Sequence, residues 1–228
     1  MFTGALKKEG MDILMLTISG MLVFTLFFAF LEPAVGRAAT SSFTITQSVT
    51  SEISFVVNAT NTTMVGALGG ITGGTATGTA YAAVQTNSTT GYTMDISFSN
   101  TPAMRGDSSG STAIGNYGTT SVPTYTFFTG STSAVFAYNV NASTTSDVAQ
   151  AFKNNGSNAC NSGSTVTAYV CWQGATSTSN ARIISRSVAA TTSATTTLTF
   201  KVYIPQNPVP AVTSDTYTAT ATLTALVQ

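Results

Sequence analysis

The sequence predicts an all-β protein built as a two-sheet sandwich, and three features of the chain support this fold class. After residue 40, apolar and polar side chains alternate along most segments, which is the pattern of strands with one buried face. Gly, Asn and Pro cluster between these segments and favour turns. The number and spacing of the segments predict about ten strands in an immunoglobulin-like or jelly-roll arrangement.

The clearest strand signals are segments in which every second side chain is apolar. The stretch "SFTITQSV" places Phe43 and Ile45 on one face, and "GYTMDISFS" and "TTLTFKVYI" each align four apolar side chains. In the latter, Thr199, Lys201 and Tyr203 are predicted to face out. The C-terminal stretch "TYTATATLTALVQ" alternates small or apolar residues with Thr, whose branched side chain suits a strand surface in water.

Two stretches depart from this pattern. Residues 100–133 are rich in Gly, Ser and Thr and alternate weakly, so we predict an elaborated surface loop or a poorly paired edge. The stretch "DVAQAFK", Asp147 to Lys153, predicts the one short helix of this region, with Asp at its start.

The N-terminus has the order of a secretory signal peptide. Lys7 and Lys8 precede an apolar run from Ile13 to Phe30, and small residues follow up to Ala38. We therefore predict a signal peptide at 1–38 and a single sandwich domain at 39–228. The run of 18 residues is also just long enough to cross a bilayer, so an uncleaved membrane anchor is the alternative.

The composition excludes several classes of function. The chain has 228 residues, a net charge of +0, 7% charged residues and no histidine. Histidine is the commonest general base and the commonest metal ligand. Beyond residue 38 the few charged residues are scattered singly, so they form no basic patch for phosphates. We predict that the protein is not an enzyme, holds no metal or cofactor, and does not bind nucleic acid.

The two cysteines, Cys160 and Cys171, are predicted to form a disulfide because the exported part meets oxidising conditions. Closing a loop of about 12 residues stabilises a fold by roughly 3 kcal/mol in the chain-entropy model. Trp172, the single tryptophan, follows Cys171 and lies near Tyr169. These two aromatic rings are candidates for stacking on a sugar, and the alternative for Trp172 is packing in the core beside the disulfide.

The tripeptide Arg105, Gly106 and Asp107 has the sequence of an integrin-type adhesion motif and lies in the Gly/Ser-rich stretch. A short motif of this kind also arises by chance, and then it is a solvated turn. Both interpretations are kept, and both predict that the tripeptide is exposed.

The C-terminal end resembles secreted, mostly uncharacterised bacterial cell-surface proteins in which the final strand follows a short turn as Tyr-Thr-x-Thr-x-Thr. Similar endings occur in spore-coat-U-like and pilin-like sandwich subunits and in WxL-type cell-wall proteins. The resemblance covers residues 198–228, with support from "NSTTGYTMDISFS". It implies a surface-exposed structural or adhesive module and no catalytic residues.

The predicted function is that of an exported structural or adhesive protein of the cell surface, such as a surface-layer or filament subunit. Its partners would be copies of itself or other cell-envelope proteins, with the membrane involved only through an uncleaved N-terminus. Either "FTITQ" or the C-terminal strip would pair with a neighbour by strand addition. Pairing within its own sandwich is the alternative, favoured for the C-terminal strip. A carbohydrate-binding module with glycans as ligands is the alternative function.

Overall fold

The computed structural model describes residues 3–30, 40–118, 122–175 and 180–228, in two units that divide between Ser48 and Val49. In the described part of the first unit, helix α1 spans Thr3–Phe30. Its stretch Gly10–Ala29 is exposed and, with a mean hydropathy of 2.0, is long and apolar enough to cross a bilayer. The apolar run from Ile13 to Phe30, predicted as a signal peptide or anchor, is helical. A signal sequence and an anchor both have these properties, and the predicted boundary after Ala38 lies outside the described residues.

The second unit is built from strands, which within the described ranges number twelve rather than about ten. They are β1 Ile53–Val57, β2 Leu68–Gly69, β3 Gly73–Thr86, β4 Tyr92–Phe98, β5 Met104–Gly106, β6 Ala113–Asn116, β7 Val135–Ala142, β8 Gln173–Gly174, β9 Ala181–Arg186, β10 Ala190–Ile204, β11 Tyr217–Ala219 and β12 Ala221–Val227.

The predicted helix at 147–153 is wrong. Two short 3₁₀ turns, Thr145–Asp147 and Gln150–Phe152, occupy the region instead. Between them Val148 is buried and bridges to Ile184 of β9, so pairing with a strand overrides the local helical preference.

The stretch 100–133 contains two short strands, β5 and β6, that the sequence does not reveal. β6 pairs with β5 and runs parallel to β7, and β5 also pairs with β11. Met104 and Ile114 from these strands are buried in the core. Strands of three or four residues are too short to show an alternating pattern, which explains why this region looked like a loop.

The strands form two sheets. The larger, curled sheet has the order β1-β3-β10-β7-β6-β5-β11, with β2 also on β3 and β8 also on β7, and the smaller sheet has the order β12-β4-β9. Except for β6 with β7, neighbours are antiparallel. β10 pairs along most of its length with both β3 and β7.

Both sheets contribute to one apolar core. The four aligned side chains of β4 are all buried, and Phe98 packs its ring 6.0 Å from Phe136 and 5.7 Å from Tyr138 of the larger sheet. The inward row predicted for β10 belongs to the same core: Leu198, Phe200, Val202 and Ile204. The prediction of an all-β protein with two sheets around a core is therefore confirmed.

The outer face of β10 is covered by other parts of the chain, although its side chains were predicted to face out. A second apolar cluster contains Tyr117, Phe127, Ala137 and Trp172, with Tyr203 packed against it. The Lys201 ammonium lies 4.5 Å from the centroid of the Phe127 ring, a cation–π contact. Alternation within a strand indicates which side chains share a face, but it does not reveal a distant loop that covers that face.

The two predicted terminal strands have different outcomes. The C-terminal strip pairs within its own chain, first as β11 with β5 and then as β12 with β4, so the alternative of internal pairing is confirmed for it. The strand predicted at "SFTITQSV" is wrong, because residues 40–52 are described without helix or strand. Phe43 and Ile45 are 82% and 83% exposed. Alternation alone does not make a strand, since a strand also needs a partner edge.

Two buried tyrosines predict how stability responds to high pH. Burial raises the pKa of Tyr92 to about 12, with a further rise from Asp147 and an opposing effect of Arg186. Burial also raises the pKa of Tyr138 above its ordinary value of 10.0. In the unfolded chain both phenols lose their protons near pH 10. The contribution of these groups to stability is therefore complete below pH 10 and is lost as the pH rises through the folded-state values.

We expect the free energy of unfolding to fall above pH 10 by up to about 1.4 kcal/mol per pH unit for each buried phenol. Urea unfolding at stepped pH values measures this slope. The variant Tyr138→Phe lacks one of the two phenols and should show a shallower slope. An unchanged free energy of unfolding between pH 10 and 12 would contradict the prediction.

Candidate functional site

Cys160 and Cys171 form the predicted disulfide, with Cα atoms 5.7 Å apart. The bridge closes a loop in which Tyr169 and Cys171 both adopt the left-handed backbone conformation, with φ values of 62° and 60°. This conformation is uncommon for residues that carry a β-carbon. The side-chain amide of Asn139 donates a hydrogen bond to the Val170 carbonyl and fixes the loop on β7.

Trp172 lies in the second apolar cluster and is 2% exposed. Its ring meets Phe127 edge-on at 5.5 Å, and its indole Nε1–H donates to the Tyr169 carbonyl at 2.8 Å. The core alternative is therefore confirmed for Trp172, and its interpretation as a sugar-stacking surface is wrong. Tyr169 is 68% exposed, so of the two aromatic candidates this ring is open to a ligand.

The tripeptide Arg105, Gly106 and Asp107 lies at and after the end of strand β5 rather than in a solvated turn. The Arg105 guanidinium donates to the carbonyls of Gly110 and Thr101, at 2.8 Å each. Gly106 is buried in the sheet, while Asp107 is exposed and accepts a hydrogen bond from Thr218 at 3.1 Å. Arg105 and Asp107 therefore use their side chains to hold the chain together at this sheet edge.

The sequence did not reveal a groove of about 970 Å³ between the two sheets. The inward row of β10 lines it, together with apolar side chains from neighbouring strands: Ala80, Phe98, Met104, Ile114 and Phe136. Residues 59–64, which follow β1, and residues 212–221, which include β11, border it. These two borders come from opposite ends of the curled larger sheet, so the groove lies where that sheet does not close.

Strand β12 borders the groove, and within the described ranges it pairs with β4 alone, which leaves its other edge without a paired strand. The Thr220 carbonyl accepts a hydrogen bond from the Ser99 amide, and the Gln228 amide donates one to the Gly91 carbonyl. The even-numbered residues along β12 therefore direct their backbone N–H and C=O groups toward β4. In an antiparallel pair the odd-numbered residues then direct their N–H and C=O groups to the free edge. The odd-numbered side chains face the core, yet Leu223 and Ala225 are only half buried.

On the side of residues 59–64, the chain is also incompletely covered. β1 ends the larger sheet, and Phe55 from β1 and Met64 from the chain after it are only partly buried against the core. β1 and β12 are in contact with each other, so the groove is closed beside β1 and opens beside residues 59–64. The groove therefore lies beside β12 and residues 59–64, where inward side chains lack full cover.

The groove carries little charge. Asp215 is the one ionic side chain among the described residues that line it. Hydrogen bonds from Ser108, with its side chain contributing most, lower the pKa of Asp215, and Thr216 adds a backbone donor. The carboxylate is therefore tied to the loop that bears it. In the described part of the chain, no three metal-ligating side chains of the His, Cys, Asp or Glu type come together.

The disulfide should stabilise the fold by limiting the conformational freedom of the unfolded chain. Replacing both Cys160 and Cys171 by Ala is expected to lower the free energy of unfolding by roughly 3 kcal/mol. Urea unfolding measures the loss, and reduction of the unaltered protein with dithiothreitol is the matched control, since it breaks the same bond without changing a side chain. Equal midpoints for oxidised, reduced and doubly substituted protein would show that the bridge has no effect.

Comparisons with protein-family models, with curated proteins and with solved structures give no match to this chain. The resemblance of residues 198–228 to secreted surface proteins therefore stays a prediction. What the chain itself presents is an apolar groove, almost uncharged, beside a free strand edge. Such a combination binds extended polypeptide through backbone hydrogen bonds and alternate side chains.

Proposed function

We propose that this chain is an exported, non-catalytic structural protein of the cell surface that assembles with copies of itself into a layer or filament. The observation that carries this proposal is the apolar groove beside the incompletely covered edge of β12. Half-covered apolar side chains and unpaired backbone groups favour association with another strand. A subunit of an assembly gains this cover from its neighbour.

Three further features support the proposal. The apolar helix α1 suits an export signal or an anchor, and the disulfide suits an oxidising compartment outside the cytosol. The chain is rich in Ser and Thr, and only 7% of its residues are charged, which suits neutral surfaces that pack together. The resemblance of the last strands to secreted surface subunits agrees with this role. We keep the immunoglobulin-like or jelly-roll arrangement of the strands as part of the proposal.

Self-association of the full chain tests this function. Sedimentation of the protein recovered from cells or medium, with negative-stain electron microscopy, should show oligomers that grow with concentration into layers or filaments. N-terminal sequencing of the same material establishes whether residues 1–38 are removed. A monomer at the highest soluble concentration, whether its N-terminus is cleaved or held in detergent, would contradict the proposal.

A carbohydrate-binding module is the second candidate, and the position of Tyr169 favours it. This side chain is exposed on a loop held by the disulfide and by Trp172, and its left-handed backbone is the kind of local strain that collects at binding sites. An aromatic ring fixed at a surface is suited to stack on a sugar.

Glycan-array binding of the unaltered protein and of two tyrosine variants tests this candidate. Tyr169→Ala should abolish binding and leave the fold intact, whereas Tyr81→Ala, the matched change of an exposed tyrosine on β3, should leave binding unchanged. Trp172→Ala should instead destabilise the protein by about 3–5 kcal/mol, because its side chain is buried. Absence of glycan binding by the unaltered protein would exclude the module.

A further inference from the structure

We infer that residues 41–49 of one copy bind as an added strand in the groove of a second copy, beside the free edge of β12. This inference rests on the proposed self-assembly and names the contact that produces it. Two features of the described residues carry it: an exposed apolar segment that pairs with no described strand, and a groove beside an edge of β12 to which no described strand is added.

The segment has the properties of a strand that lacks a partner. Phe43 and Ile45 alternate with Thr and are almost fully exposed to water, as is Val49 farther along. Large apolar side chains in water are unfavourable, and burial between two sheets removes that penalty. Residues 40–51 contain no charged side chain, so nothing in them opposes transfer into an apolar groove.

The groove offers what such a strand requires. An antiparallel or parallel strand added to β12 would bond to the outward N–H and C=O groups of Ala221, Leu223 and Ala225. Its alternate side chains would then enter the space between the sheets, where Phe200 and Leu223 are only partly covered. The segment and the groove thus match in both backbone pairing and apolar surface.

The charge of the groove favours this occupant over a charged peptide. Asp215 is the single ionic group among the described lining residues, and its carboxylate already accepts hydrogen bonds from Ser108 and Thr216. A basic or acidic ligand would leave its charges unpaired in the groove. The neutral segment, with Phe43, Ile45 and Val49 at alternating positions interrupted only by Gln47, leaves none.

We assign the segment to a second copy because that contact repeats from subunit to subunit, and because the chain at Thr50 and Glu52, from which the segment leads, lies away from the groove. Asn87 holds the chain beside the end of β3, because its side chain accepts from the Glu52 amide at 2.7 Å and donates to the Thr50 carbonyl at 2.9 Å. The groove-lining residue of β3 is Ala80, about 20 Å away at the usual rise per strand residue.

Mixing two cysteine variants of the full chain tests the contact. One carries Cys at Ser42, Thr44 or Thr46 in turn, and the other carries Thr222→Cys on the outer face of β12, so that Phe43 and Ile45 stay unchanged. A short bismaleimide should join the two chains for at least one of the three positions. Thr77→Cys, exposed on the outer face of β3, is the matched control and should not be joined.

Whether the crosslink forms between two chains or within one chain shows whose groove the segment occupies. A chain that carries both Thr44→Cys and Thr222→Cys should give linked oligomers when concentrated. If the two cysteines instead join within one chain at high dilution, and the mixed variants give no product, the segment occupies its own groove and the inference is overturned.

Assembly of segment variants separates this inference from the proposed function. The double variant Phe43→Asp with Ile45→Asp should weaken association by roughly a hundredfold or more, because two apolar anchors are lost. Thr44→Asp with Thr46→Asp adds the same charge on the opposite face and should have a much smaller effect. If both variants assemble like the unaltered protein, this contact is wrong while self-assembly stands. If the unaltered protein does not assemble, both proposals fail.

Discussion

The backbone pairing of β10 is the constraint on which the rest of the second unit depends. This strand bonds to β3 on one side and to β7 on the other, so it fixes the register of the larger sheet. Its inward side chains build the core and line the groove. Its outward residues Lys201 and Tyr203 pack against the second cluster. A shift of one residue would exchange these two faces, so both sides of the sheet hold β10 in place.

The second cluster, which covers part of the outer face of β10, depends on contacts between residues that are distant in sequence. The disulfide holds the loop that leads into Trp172, and Trp172 packs with Phe127 from the stretch before β7. Lys201 caps these rings with its ammonium group. The second cluster therefore assembles from three separated segments, and one covalent bond limits the freedom of the loop that supplies its largest ring.

The fold class and the facing of the long strands could be predicted from the sequence, because β4 and β10 are long enough for alternation to show. The strand at 42–49 was predicted wrongly for a physical reason: its side chains alternate, but no strand in the described part of the chain pairs with it. The disulfide followed from composition alone. The groove could not be predicted, because it is bounded by residues 59–64 and 212–221, whose proximity depends on the curl of the sheet rather than on any local pattern.

If residues 41–49 bind in the groove of a second copy, the separation of Thr50 from the groove along β3 makes the two contacting surfaces of each copy different. An interface between two unlike surfaces is heterologous, so repeated use produces an open row rather than a closed pair, unless the rotation between neighbours brings the row back on itself. The two ends of such a row differ. One end presents an empty groove, and the other presents an unbound segment 41–49. Growth at the two ends of such a row would then proceed at different rates, because each end adds a subunit through a different surface.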